Sequence, residues 1–167
     1  MKNILLPIDG SKTCYQAYEY TKNLAKKYDS NVTVLHIRKE YEFPYIGEMV
    51  NSELNKIIDD YEFTNVDNPN QVLLHYKDDK YSKDFIDDLS AKILSNAKKY
   101  FEKEGINVKS EFLIGKPAKE ILDYISKNDF DLVVMCTHGM SAAKRYSLGS
   151  VTNKVVHHVD IPILVIK

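Results

Sequence analysis

The chain has 167 residues, 44% of them hydrophobic, with 23 basic against 24 acidic side chains. That is enough chain for one domain with a substantial core, in which roughly two thirds of the unfolded surface is buried. The balanced charge calls for neither nucleic acid nor an acidic membrane surface as partner. The run Ile4-Leu5-Leu6 is too short for a signal peptide and no segment approaches a membrane span, so a soluble cytoplasmic protein is expected. The two cysteines, Cys14 and Cys136, are too few for a disulfide scaffold, and reduced thiols are the expectation in that compartment.

Lys2 to Ile8 reads as a first strand, with Pro7 placed where a ladder hydrogen bond is missing. Asp9-Gly10-Ser11 breaks it, and Ser11 is a candidate N-cap. The helix that follows carries Cys14, Ala17, Tyr18, Thr21, Leu24, Ala25 and Tyr28 on its inward face. Val32 to Ile37 gives a second strand, completing a strand-helix-strand unit. Residues 40–82 hold no phosphate motif and read as an insertion after strand two, with its own helix-like stretch from Glu53 to Phe63.

Asp84 to Glu104 has the clearest helical period, with Phe85, Leu89, Ile93, Ala97, Tyr100 and Phe101 on one face and Gly105 stopping it. Ile106 to Ile114 alternates as a third strand. Gly115-Lys116-Pro117 then turns the chain into a short helix carrying Ala118, Ile121, Leu122 and Ile125. Asp131 to Met135 is an apolar run suited to a strand buried on both faces. Cys136-Thr137-His138-Gly139 turns it into a loop of small and polar residues that contains Arg145. Gly149-Ser150 leads into a last helix with Val151, Val155, Val156 and Val159, and Ile161 to Lys167 is a terminal strand.

Strand, glycine loop and helix start together suit an anion. Glycine lets backbone approach a bulky group, and the amides and dipole at a helix N-terminus favour negative charge. A phosphate chain would lie across Gly139 and against Gly149-Ser150, near Asp9 if the first and fourth strands are parallel neighbours. Simpler readings stand beside these: two tight turns for the glycines, an Asx-turn for Asp9, a turn contact for His138 and solvation for Arg145.

The spacing of Gly139, nine residues, then Gly149-Ser150 resembles the nucleotide signature of the universal stress protein family. Its first glycine falls on Cys136. The Pro7 to Asp9 strand end, the Gly115-Lys116-Pro117 turn and the closing strand match the family as well.

The resemblance implies an α/β fold, an open five-stranded parallel sheet with helices on both faces, Rossmann-like and similar to the adenine nucleotide alpha hydrolases. It implies that Pro7, Ile8, Asp9, Ile37, Met135, Cys136, His138, Gly139, Gly149, Ser150, Val151 and Thr152 hold ATP or AMP. Asp9 is then a candidate for Mg²⁺, and a homodimer forms through Ile161 to Lys167. The expected job is a stress-response switch or sensor. Slow ATP hydrolysis, or action through protein partners without nucleotide, are the alternatives, since no catalytic set is visible. A thiol switch between Cys14 and Cys136 is a third.

Overall fold

A computed structural model describes residues 1–11, 14–38, 79–137 and 148–167, with residues 79–86 described in backbone only. The proposed helix from Glu53 to Phe63, almost all of the insertion, and His138, Gly139 and Arg145 lie outside the described residues. The elements are β1 (Asn3–Ile8), α1 (Tyr15–Tyr28), β2 (Asn31–Arg38), α2 (Asp79–Glu102), β3 (Val108–Ile114), α3 (Pro117–Ser126), β4 (Leu132–Cys136), α4 (Ser150–His158) and β5 (Ile163–Ile166).

The strands form one sheet in the order β3-β2-β1-β4-β5. Every pair is parallel. The expected architecture is therefore present. Side-chain alternation sorts the two faces of the sheet into two cores. On one face Ile4, Leu6, Ile8, Val32, Val34, Val134 and Cys136 meet α1 and α2 through residues such as Ala17, Tyr18, Ile93, Ala97 and Phe101. On the other, Leu5, Leu35, Val133 and Met135 meet Ile121 of α3 and Val155 of α4.

Chain order reverses between β1 and β4, because β2 and β3 lie to one side and β5 to the other. Pro7 belongs to this switch point. Along β1, Lys2 bonds towards β2 through its carbonyl, while Asn3 accepts from Asp131 at the start of β4. Alternation turns Pro7 towards β4 as well, and Pro7 has no N–H to give. The paired register of β1 with β4 runs only over Ile4↔Leu132 and Leu5↔Val133, whereas β1 pairs with β2 up to Ile8↔His36. The proline thus sits where β1 and β4 have stopped pairing, the position at which open α/β sheets form a ligand crevice.

Two local expectations differ from the structure. Ser11 does not cap α1. The helix begins at Tyr15, Cys14 N donates to Ser11 O at 3.1 Å, and Cys14 is the N-cap residue. Gly10 at φ 84° carries the chain through the preceding bend. Tyr28 is exposed rather than inward, because α1 ends there and Asp29 leaves the helix in the left-handed region. Among the described residues, the other anticipated elements begin and end within five residues of their observed positions.

Candidate functional site

The carboxyl ends of β1, β2 and β4 carry half of the predicted site residues, and the start of α4 is fastened beside them. Gly149 N donates to Thr137 O at 2.6 Å, and Thr152 Oγ1 donates to Cys136 O at 2.7 Å. These two bonds hold the first turn of α4 against the end of β4. The first intrahelical bond in this turn is Asn153 N to Gly149 O at 2.8 Å. The amides of Ser150, Val151 and Thr152 therefore belong to the turn that has no carbonyl acceptor within its own helix, the arrangement that attracts anions.

Two assignments change in detail. The Gly149 amide is already committed to Thr137, so it is not a phosphate donor in this conformation. The Thr152 hydroxyl is buried and committed to Cys136, which makes Thr152 a fastener of the helix start rather than a hydroxyl ligand. Ser150 is exposed at the helix start.

Asp9 follows β1. Its Oδ1 accepts from Ser11 N at 3.0 Å and from Ser11 Oγ at 2.7 Å. This is the Asx-turn that the sequence left as an alternative. The same oxygen lies 3.5 Å from Cys14 Sγ, and Ser11 Oγ lies 3.6 Å from that sulfur. Among the described residues no group of three or more His, Cys, Asp and Glu side chains could hold a metal ion. Asp9 fits Mg²⁺ only as one carboxylate accompanying phosphate oxygens.

The remaining predicted residues divide between the two faces. Met135 is buried with the α3 and α4 side, where Ile37 packs partly covered. Ile8 and Cys136 are buried with the α1 and α2 side. The side chains thus flank the strand ends from above and below, and Pro7 lies between at the switch point.

One residue of this region escaped the sequence reading. His36 is buried, with Nδ1 3.0 Å from Ile8 O and its ring stacked on Phe112 at 6.0 Å. Burial pushes its pKa below the ordinary value, against the opposing pull of the Ile8 carbonyl and the Asp9 charge. The strand period placed it at an end, but only the β1–β2 register shows the carbonyl it meets.

The Cys14 sulfur is bonded to that of Cys136, 122 positions away, with the Cα atoms 5.5 Å apart. The expectation of two reduced thiols is overturned by this contact. Its physical basis is the packing of α1 across the β1–β4 boundary, which brings the start of the helix to the end of β4.

Comparison with known proteins agrees with this fold. The universal stress protein family matches residues 1–167. Universal stress protein MJ0531 of Methanocaldococcus jannaschii is 26% identical over 99% of this chain and 82% of its own length. The solved structure of MJ0577, from the same organism, superposes with a TM-score of 0.68 at 27% identity, covering 99% of this chain and 95% of that one. Two more distant structures share the fold. One is a universal stress protein of Archaeoglobus fulgidus in complex with dAMP, at TM-score 0.61 and 18% identity, covering 100% of this chain and 98% of that one. The other is a universal stress protein in complex with cAMP, at TM-score 0.58 and 15% identity, covering 99% and 95%. With the family matched from the first residue to the last and the parallel five-stranded sheet in place, the chain belongs to the universal stress protein family.

Proposed function

We propose that this protein is an adenine-nucleotide-binding module whose occupancy acts as a signal, and that it is not an efficient catalyst. The observation that carries the reading is the first turn of α4, held by Thr137 and Cys136 at the end of β4, beside the switch point that Pro7 opens. Phosphate meets the amides of Ser150, Val151 and Thr152, while the nucleoside lies along the ends of β1 and β2 near Pro7, Asp9 and Ile37. The dAMP and cAMP complexes of fold relatives support an adenine nucleotide as the ligand class.

Asp9 argues against efficient turnover. A phosphoryl-transfer site needs a metal clamp and a group that positions the nucleophile. The Asp9 Oδ1 oxygen is already shared by two Ser11 donors. Mass analysis of small molecules released by denaturing freshly purified protein tests the reading, with an adenine nucleotide as the expected product. Rapid ATP turnover with Mg²⁺, abolished by Asp9→Ala, would replace the binding module with an enzyme.

The reading includes a homodimer. Strand β5 pairs with β4 through Val133↔Ile163 to Cys136↔Ile166, and among the described residues no strand pairs with its other edge. An apolar edge of this kind is a template for a second chain, and two-fold pairing of β5 strands covers it.

A further inference from the structure

The nucleotide reading gives no role to the Cys14–Cys136 bond. We propose that Cys14 and Cys136 are a reversible redox pair that sets the affinity of the nucleotide crevice, tight when bonded and weak when reduced. The inference rests on the nucleotide reading and names a regulation of that same site.

Its basis is a continuous set of contacts across the crevice. On the β1 side, Asp9 Oδ1 accepts from Ser11 N and Oγ, and Ser11 O accepts from Cys14 N. On the β4 side, the Cys136 carbonyl accepts from Thr152 Oγ1 and so fixes the first turn of α4. The sulfur bond joins the two sides, with Cα atoms 5.5 Å apart. Bonded, it makes the Asp9 turn and the phosphate-facing turn one connected unit, and a site already held in its binding geometry spends less free energy on ordering. Reduced, the two halves keep the sheet and the packing of α1 against β4 but lose the covalent tie.

The environment selects the oxidant. Cys14 is 3% exposed and Cys136 7%. A small hydroperoxide fits this access better than a folded protein thiol. The Cys136 sulfur, as thiolate, attacks one peroxide oxygen and the O–O bond breaks. This gives a sulfenic acid and one alcohol or water, which takes up the proton from Cys136. The Cys14 sulfur then attacks the sulfenic sulfur, the S–O bond breaks, and the leaving hydroxide takes the Cys14 proton as water. Two thiols have lost two electrons and two protons, and one peroxide has been reduced. Exchange with a dithiol reverses the change.

The test titrates ATP into the full chain in both redox states, with thiols counted by alkylation and mass before and after. Two thiols are expected after treatment with dithiothreitol and none after hydrogen peroxide. The bonded form is expected to bind ATP about fivefold or more tighter, within the usual range of site coupling. Cys14→Ser is expected to bind weakly under both conditions. Reciprocity adds a readout: saturating ATP should make the bond harder to reduce by the same factor.

Equal, measurable affinity in the two states, or tighter binding when reduced, would overturn the redox inference and leave nucleotide binding standing. Absence of ATP binding in both states would overturn both. If Cys14→Ser does not fold, the two redox states of the unaltered chain decide the matter alone.

Discussion

Thr152 shows how one hydroxyl can be read two ways. Its place after Gly149-Ser150 marked it as a phosphate ligand, yet the buried oxygen donates to the Cys136 carbonyl. Thr152→Val keeps the shape and removes the donor, leaving that carbonyl short of a partner. The expected cost is about 1–3 kcal/mol of unfolding free energy, measurable in a urea titration, while Ser150→Ala at the exposed start of the same turn should change stability by only about 0.5 kcal/mol or less.

His36 makes a pH argument at the same scale. Burial lowers its pKa in the folded protein, whereas the unfolded chain takes up the proton near the ordinary value of about 6.5. Between those two values the unfolded state binds more protons, so stability is complete above the unfolded value and is lost as pH falls towards the folded one. The unfolding midpoint should therefore drop on acidification below about pH 6.5, and His36→Asn should reduce that slope. A slope unchanged by the substitution would assign it to other groups.

At the scale of elements, most of the chain was legible. The period of Leu89, Ile93, Ala97 and Phe101 fixed the buried stripe of α2, and the β-branched run before Cys136 fixed a strand covered on both faces, because both depend on local patterning. The start of α1 was not. Asp9, Gly10 and Ser11 contain the chemistry of a cap and of an Asx-turn, and only the position of Cys14 against β4 selects the turn.

A contact between positions 14 and 136 leaves no local signal, so the sulfur bond was beyond sequence periodicity. It closes a loop with a sequence separation of 122, and constraining an unfolded chain over that length is worth roughly 4–5 kcal/mol. Dithiothreitol should lower the unfolding free energy by up to that amount with no change of fold by circular dichroism. A urea midpoint indifferent to reductant, with two thiols counted, would contradict it.

Across the whole molecule, the strand order β3-β2-β1-β4-β5 does the positioning. It places the reversal of strand order beside Pro7, brings Asp9 and the start of α4 to one edge, and leaves β5 outermost. The proposed dimer follows from that outermost strand. Native mass measurement at micromolar concentration should find about twice the 19.3 kDa of one chain, and a monomer alone would retire the dimer. The strand-helix-strand order was readable in the sequence and the family resemblance supplied the sheet. The split of Met135 and Cys136 onto opposite faces follows from the alternation of β4 once its bounds are known.

The central claim concerns the amides at the start of α4, and Ser150→Pro tests it with little disturbance. Proline suits the first helical position, and Gly149 already has the extended backbone, φ −58° and ψ 154°, that a following proline requires. The substitution removes one phosphate-facing N–H and keeps the helix. Calorimetric titration of ATP should give one site per chain in the unaltered protein and roughly tenfold weaker binding in the variant, the loss of about 1.4 kcal/mol that one such hydrogen bond represents. Equal ATP affinity in the two proteins, or no ATP binding by the folded unaltered chain, would contradict the account.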